Sequence, residues 1–211
     1  DERQQLDWAQ LDEVLNRAAN ALLGADFPGD RRVAVFAPNA LEVVVIHLAA
    51  LHAGVSTVPV NFHLTADELE YILRDSGSRM LFVGPETLDV GLEAARRVGV
   101  APVVGWRCEP REGLTAWDDW LAASSPAEPV CDHPPLPHLH YTSGTTGRPK
   151  GTLTPPTMFP RTDTIEELFE RLRAEWEVAG SPAPGMVVSP IYHTGPMGSI
   201  RLLGAGMPLV V

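Results

Sequence analysis

The chain has 211 residues, 45% of them apolar, and a formal net charge of −11 from 27 acidic and 16 basic side chains. That length supports one large or two small domains with a substantial core, and the acidity argues against unassisted binding to nucleic acid or to an anionic membrane. Two cysteines, Cys108 and Cys131, are too few for a disulfide framework and favour a reducing cytosol, while the longest apolar run, Val43 to Leu51, is broken by His47 and falls far short of a membrane span.

In chain order, Trp8, Leu11, Leu15, Ala18 and Leu22 recur at helical spacing, with Asp7 and Gln10 placed as a capping box and Gly24 as the stop. Arg32 to Phe36 reads as a short buried strand, Pro38-Asn39 as a turn, Leu41 to Ala53 as a largely apolar helix closed by Gly54, and Val55 to Val60 as a second strand. Strand, helix and strand at these lengths imply a right-handed crossover in a parallel sheet. Thr65-Ala66-Asp67-Glu68 is a second capping box, opening a helix through Leu73, and Arg79 to Val83 is the next strand. A helix from about Glu86 to Val98 then leads to a strand at Val103-Val104. The expected class is α/β, with helices on both faces of a mostly parallel sheet, over a first portion 1–107.

From Cys108 to Pro137 the pattern dissolves into prolines, acidic residues and tryptophans that read as exposed, with Trp117 to Leu121 as a short helix; the stretch 108–137 is expected to be an irregular connection. The portion 138–211 opens on the phosphate-loop candidate described below. Pro155-Pro156 precede a helix from Thr164 to about Ala179, with Ile165, Leu168, Leu172 and Trp176 as its buried stripe and a solvated charged face opposite. Met186 to Ser189 is expected as a buried strand, and Pro190 to Gly195 as a turn into the last helix. Trp8 is expected in the core, and His47 and His52 as packing residues at the ends or edges of their helix. With no initial methionine and an end at Leu209-Val210-Val211, where a strand begins, the chain is expected to be a fragment of a longer protein.

One segment concentrates the chemistry: Tyr141-Thr142-Ser143-Gly144-Thr145-Thr146-Gly147-Arg148-Pro149-Lys150-Gly151. Glycines let the backbone approach an anion closely and converge its N–H groups on phosphate oxygens; the hydroxyls add neutral donors, and Arg148 and Lys150 add positive charge. Pro149 stiffens the loop just before the lysine. A Walker A loop requires a hydroxyl directly after its lysine, and Gly151 stands there instead.

The segment resembles, residue for residue, the phosphate-binding signature of the adenylate-forming superfamily: acyl-CoA synthetases, peptide-synthetase adenylation domains and luciferases. Leu6 to Leu11, Leu51 to Asn61, Leu64 to Leu69 and Ser189 to Gly195 are similar to further blocks of that superfamily in matching order, the third in the manner of acyl-CoA synthetases. The resemblance implies a two-step reaction in which a carboxylate attacks ATP to form an acyl-adenylate and pyrophosphate, after which the thiol of coenzyme A displaces AMP. It implies that Thr142, Ser143, Gly144, Thr145, Thr146, Gly147 and Lys150 hold the β- and γ-phosphates, bridged by magnesium. Lys150 would stabilise the departing pyrophosphate, and Tyr192, His193 and Gly195 would border the acyl pocket. The carboxylic acid, ATP and CoA are thus the implied partners, with a homodimer as a common default.

Three departures qualify the resemblance. Thr154-Pro155-Pro156-Thr157 follows where relatives often carry an apolar stretch and a histidine. The adenine-binding blocks and the C-terminal catalytic lysine are expected beyond residue 211, so the 211 residues alone are expected to be inactive. No carboxylate stands between Pro190 and Val211, which disfavours an amino-acid substrate. His193 could gate the acyl tunnel, orient the substrate or be a satisfied interior histidine. Cys131, His133, His138 and His140 lack paired metal-ligand spacing, so no metal site is assigned to them. A non-catalytic nucleotide-binding or docking module, or an adenylation domain with another acceptor thiol, are the alternative functions.

Overall fold

The structure, a computed structural model, describes residues 4–142, 148–179 and 184–211, and the side chains of 175–179 are outside the description. The expected phosphate contacts of Ser143, Gly144, Thr145, Thr146 and Gly147, and the expected burial of Trp176, therefore lie outside the described residues.

Helix α1, Trp8–Leu23, starts where the sequence pattern places it. Asp7 Oδ1 accepts from the Gln10 amide at 2.8 Å and Gln10 Oε1 accepts from the Asp7 amide at 2.9 Å, satisfying two amides that a helix start would leave orphaned. Its fully buried residues are Ala18, Ala19 and Leu22, whereas Trp8, at the first helical position, is 52% exposed and not in the core. Strand β1, Arg32–Phe36, helix α2, Leu41–His52, and strand β2, Ser56–Pro59, form the first parallel crossover. Helix α3, Ala66–Ser76, carries the second capping box at Thr65 and Glu68 and ends on Gly77 in the left-handed conformation. It leads to β3, Met80–Val83; a short 3-10 turn at Pro85–Thr87 and α4, Leu88–Val98, lead to β4, Val103–Gly105.

The parallel sheet runs in the order β2-β1-β3-β4, and a fifth strand extends it. Strand β5, Leu114–Ala116, pairs in parallel with β4 inside the stretch read from sequence as irregular, and α5, Trp117–Ala122, the short helix expected there, follows directly. Trp117 and Trp120 are buried rather than exposed: Trp120 meets Phe82 edge-on with 5.2 Å between ring centroids, and Trp117 meets Trp106. The chain beyond α5 is held to α1 by one polar face, because Asn16, Arg17 and Asn20 donate to the carbonyls of Pro126, Ser124, and Ser125 and Ala127. Those bonds satisfy carbonyls that irregular backbone leaves without ladder partners.

Strand alternation assigns the two faces. Val33, Val35, Met80, Phe82 and Val104 pack with α1, α2 and α5, while Ala34, Phe36, Val58, Leu81, Val83 and Val103 pack with α3 and α4. Helices thus cover both faces, and α2, between the sheet and later parts of the chain, is buried nearly all round.

Past residue 137 the chain forms β6, Leu139–Thr142, and β7, Lys150–Leu153, an antiparallel pair. Helix α6, Ile165–Ala179, buries Leu168 and Leu172, with Ile165 partly buried beside them. Strands β8, Gly185–Met186, and β9, Leu209–Val210, pair in parallel around α7, Thr194–Gly204. The strand expected over Met186 to Ser189 is shorter and mostly exposed: Val187 is buried, but Met186 is 66% and Val188 82% exposed. Only β9 pairs with β8 among the described residues, so one face and one edge stay open. Phe159, Leu168, Ile191, Met197 and Ile200 join the α1–α2 core, which makes the later portion continuous with the first. No helix among the described residues is long and apolar enough to cross a membrane.

Candidate functional site

The site is built where β6 lies against β2. Among the described residues no backbone ladder joins β6 to the five-stranded sheet, and side chains of β2 hold it instead. Ser56 Oγ donates to the Pro137 carbonyl at 2.6 Å, and Thr57 Oγ1 lies 2.7 Å from His138 Nδ1 and 2.8 Å from His47 Nδ1. Among the described residues the Thr57 hydroxyl has no partner besides these two rings, so its one proton goes to one imidazole and it accepts from the other. His47 Nε2 has no hydrogen-bond partner among the described residues, and a buried orphan N–H is rarer than a buried orphan acceptor, which makes His47 the Nδ1–H donor and His138 the acceptor. His47 is therefore not an edge packing residue but the buried middle of α2, tied through β2 to β6.

Burial keeps these imidazoles neutral. It pushes His47 down to about 3, with the charge of His140 adding to the effect, and takes His138 well below the ordinary range, with His47, His140 and Arg201 contributing in the same direction. Burial also lowers His140, against the opposing effect of the Tyr192 backbone; neither ring nitrogen of His140 has a partner in good geometry. Among the described residues no group of three or more His, Cys, Asp or Glu side chains is arranged to hold a metal ion.

Alternation along β6 turns Leu139 and Tyr141 toward the α3–α4 core and His138 and His140 toward α2 and Phe159. The register pairs His140 with Thr152, Tyr141 with Gly151 and Thr142 with Lys150, so Thr142 and Lys150 stand opposite each other at the end of the ladder. Both are exposed. A Cβ on Gly151 would come within 3.2 Å of Leu139 Cδ1 and 3.3 Å of Tyr141 Cζ, tighter than ordinary contact, which explains glycine after the lysine. The Tyr141 hydroxyl, raised by burial and then by its bond to Asp75, stays protonated and donates to Asp75 Oδ2 at 2.6 Å. Tyr71 donates to the Pro149 carbonyl at 3.0 Å, and the Arg148 guanidinium lies 5.2 Å from the Tyr71 ring centroid. After Lys150 the proline-rich departure has a defined path: Thr154 donates through its amide and hydroxyl to the His138 carbonyl, and the amides of Met158 and Phe159 both donate to the Pro155 carbonyl. That turn delivers Phe159 into the core.

The third wall is the turn before α7. Asn39, just past the carboxyl end of β1, grips it with both arms: its Nδ2 donates to the Ser189 carbonyl at 3.0 Å and its Oδ1 accepts from the Ile191 amide at 2.8 Å. Tyr192 is half-buried, edge-on to Phe62 with 5.7 Å between centroids, and stacked at a tilt on His193. His193 and Gly195 are exposed, and His193 is the N-cap residue of α7 without a side-chain capping bond. Phe62 follows β2 and Asn39 follows β1, so the turn sits beyond the carboxyl ends of parallel strands, where open α/β sheets bind ligands. The structure brings Thr142 and Lys150 together across one ladder rung and places Tyr192 and His193 against His140 of the same strand. Asn39, Thr57, Tyr71 and Asp75 were not singled out by the sequence. Only the i, i+4 spacing of the last two hinted at a shared face.

A parallel α/β sheet is joined here to a separate hairpin whose strands flank a glycine- and hydroxyl-rich stretch of sequence and carry an exposed lysine. Residues 1–210 match the family described as AMP-binding enzyme, and the chain belongs to that family. It is similar to the long-chain-fatty-acid–CoA ligase FadD13 of Mycobacterium tuberculosis, 31% identical over 159 residues, which cover 70% of this chain and 29% of that protein. It is also similar to the oxalate–CoA ligase of Arabidopsis thaliana, 30% identical over 207 residues, covering 95% of this chain and 39% of that one. The fold is that of the crystal structure of the anthranilate CoA ligase AuaEII in complex with anthranoyl-AMP, with a TM-score of 0.79 at 23% identity over 99% of this chain and 40% of that one. The chain thus spans at most about two-fifths of the length of these proteins.

Proposed function

We propose that these residues are the N-terminal part of an ATP-dependent, AMP-forming carboxylic acid–CoA ligase that works in the cytoplasm. The observation that carries this reading is the adjacency of the two halves of the site on β6: Thr142 faces Lys150 across the ladder, and two residues earlier His140 lies against Tyr192. A carboxylate acylates poorly until its oxygen becomes a good leaving group, and transfer to the α-phosphorus of ATP accomplishes this with loss of pyrophosphate. Lys150 and Thr142, with Ser143 to Gly147 between them in sequence, would hold the β- and γ-phosphates and stabilise charge on the departing pyrophosphate. Tyr192, His193 and Gly195 would border the acid. Magnesium would neutralise the phosphate oxygens. Coenzyme A would supply the acceptor thiol. The two relatives act on acids as unlike as long-chain fatty acids and oxalate, so the acid is best sought over fatty, aryl and short-chain classes.

The test is Lys150→Ala in the complete ligase. Acid-dependent ATP–pyrophosphate exchange should fall by about a hundred- to a thousandfold, as for loss of one preorganised charge stabiliser. Thiolysis of supplied acyl-adenylate should fall far less. Equal damage to both half-reactions overturns the role of Lys150, and a complete wild-type protein without acid-dependent exchange for any acid class overturns the ligase reading in favour of a non-catalytic nucleotide-binding or docking module. The 211 residues alone should release no pyrophosphate.

A further inference from the structure

We propose that Tyr71 and Asp75 of α3 are positioning residues that fix where Thr142 and Lys150 stand relative to each other. The proposal rests on the reading of those two as phosphate-binding residues. The hairpin that carries them is anchored to β2 at the start of β6, but its β7 side has little support of its own. All four residues of β7 are exposed, β7 pairs only with β6 among the described residues, and a two-stranded ladder is marginal in water. The ladder alone would leave the Thr142–Lys150 rung, at its end, free to fray.

Helix α3 supplies the missing support at both feet. Its Thr65 capping box sets where the helix begins, and Leu69, Ile72 and Leu73 bury it on the sheet, so its rotation about its own axis is fixed. Tyr71 and Asp75 are four residues apart and share one flank. Asp75 accepts from Tyr141, the residue before Thr142; Tyr71 donates to the carbonyl of Pro149, the residue before Lys150. Each strand is therefore held one residue away from the group proposed to touch phosphate. Two further observations tighten the grip. The Tyr141 ring lies across Gly151, where a Cβ would meet it at 3.3 Å, and the Arg148 guanidinium sits over the Tyr71 ring, 5.2 Å from its centroid.

The experiment uses the complete ligase with Tyr71→Phe and Tyr141→Phe. Each removes one oxygen and leaves the ring in place, so the fold is retained. In acid-dependent ATP–pyrophosphate exchange Tyr71→Phe should raise KM for ATP by about three- to tenfold, the weight of one neutral hydrogen bond, and Tyr141→Phe, which loses a bond to a carboxylate, by at least as much, with KM for the acid unchanged in both. Amide hydrogen exchange over Lys150 to Leu153 should speed up in the unliganded variants. In a Lys150→Ala background Tyr71→Phe should add little, because the residue being positioned is gone. An unchanged KM for ATP in both variants overturns the proposal, even if β7 exchanges faster, since the bonds would then be structural only. An equal rise in both KM values, or a full effect of Tyr71→Phe without Lys150, overturns it as well. If wild-type ligase shows no exchange with any acid, the functional reading fails first and this proposal with it; wild-type activity with insensitive variants sinks this proposal alone.

Discussion

Thr57→Val is the substitution that most directly interrogates how the site is held. Valine keeps the shape of threonine and removes one oxygen, at a residue with no solvent exposure. That oxygen serves two imidazoles, at 2.7 and 2.8 Å, and neither can reach water in exchange. Leaving a buried polar group unsatisfied costs about 1–3 kcal/mol, so two orphaned Nδ1 atoms, softened by the extra buried methyl, give a loss of about 2–5 kcal/mol. At about 2–4 °C per kcal/mol for a domain of this size, the thermal midpoint should fall by about 4–20 °C. Circular dichroism melts and urea titrations measure it, and Thr57→Ser, which restores the hydroxyl without the methyl, should recover most of the loss. Nitrogen-15 spectra of the wild-type imidazoles should show His47 protonated on Nδ1 and His138 on Nε2. A valine variant as stable as wild type, a serine variant no better than valine, or the same tautomer on both rings would refute the hydrogen-bonded relay.

Two more outcomes follow from the same packing. His47 titrates near 6.5 when unfolded and is pushed down to about 3 in the fold, so below pH 6.5 the unfolded chain binds a proton that the folded chain refuses. Its contribution is complete above 6.5 and is lost as pH falls toward about 3, at about 1.4 kcal/mol per pH unit, and His138 acts with the same sign. Urea midpoints should therefore drop from pH 7.5 to 5.5, and a flat profile would contradict neutral burial of the pair. Gly54 has φ +58°, and a Cβ there would stand 2.4 Å from His133 Cβ and 3.1 Å from the Pro134 carbonyl oxygen. Gly54→Ala combines left-handed strain with a clash and should cost more than about 3 kcal/mol; a near-neutral urea midpoint would show that residues 133–134 can move away.

The early elements were legible because local signals and burial agree there. Asp7 with Gln10 and Thr65 with Glu68 cap where their spacing indicates, and Arg32 to Phe36 is the strand its apolar run describes. Strand β5 escaped because Leu114-Thr115-Ala116 is too short to show a period, and its place depends on β4 being there to pair with. Trp117 and Trp120 read as exposed amid acidic residues, yet Phe82 and Trp106 lie across the sheet face to receive them. Trp8 shows the reverse error: it continues a helical stripe, but it is the first residue of α1, and that stripe is fully buried only from Ala18 onward.

The sequence by itself determined the class, the strand-helix alternation and the segment from Tyr141 to Gly151, because each is a property of neighbours within a few residues. What only the tertiary structure decided is how that segment is held. His47, Thr57 and His138 are separated by 10 and 81 residues, and Tyr141 lies 66 residues from Asp75. A hydrogen bond requires its partners within about 3 Å, a condition that periodicity along the chain does not encode and that only the packing of α2, α3 and β6 around β2 fulfils.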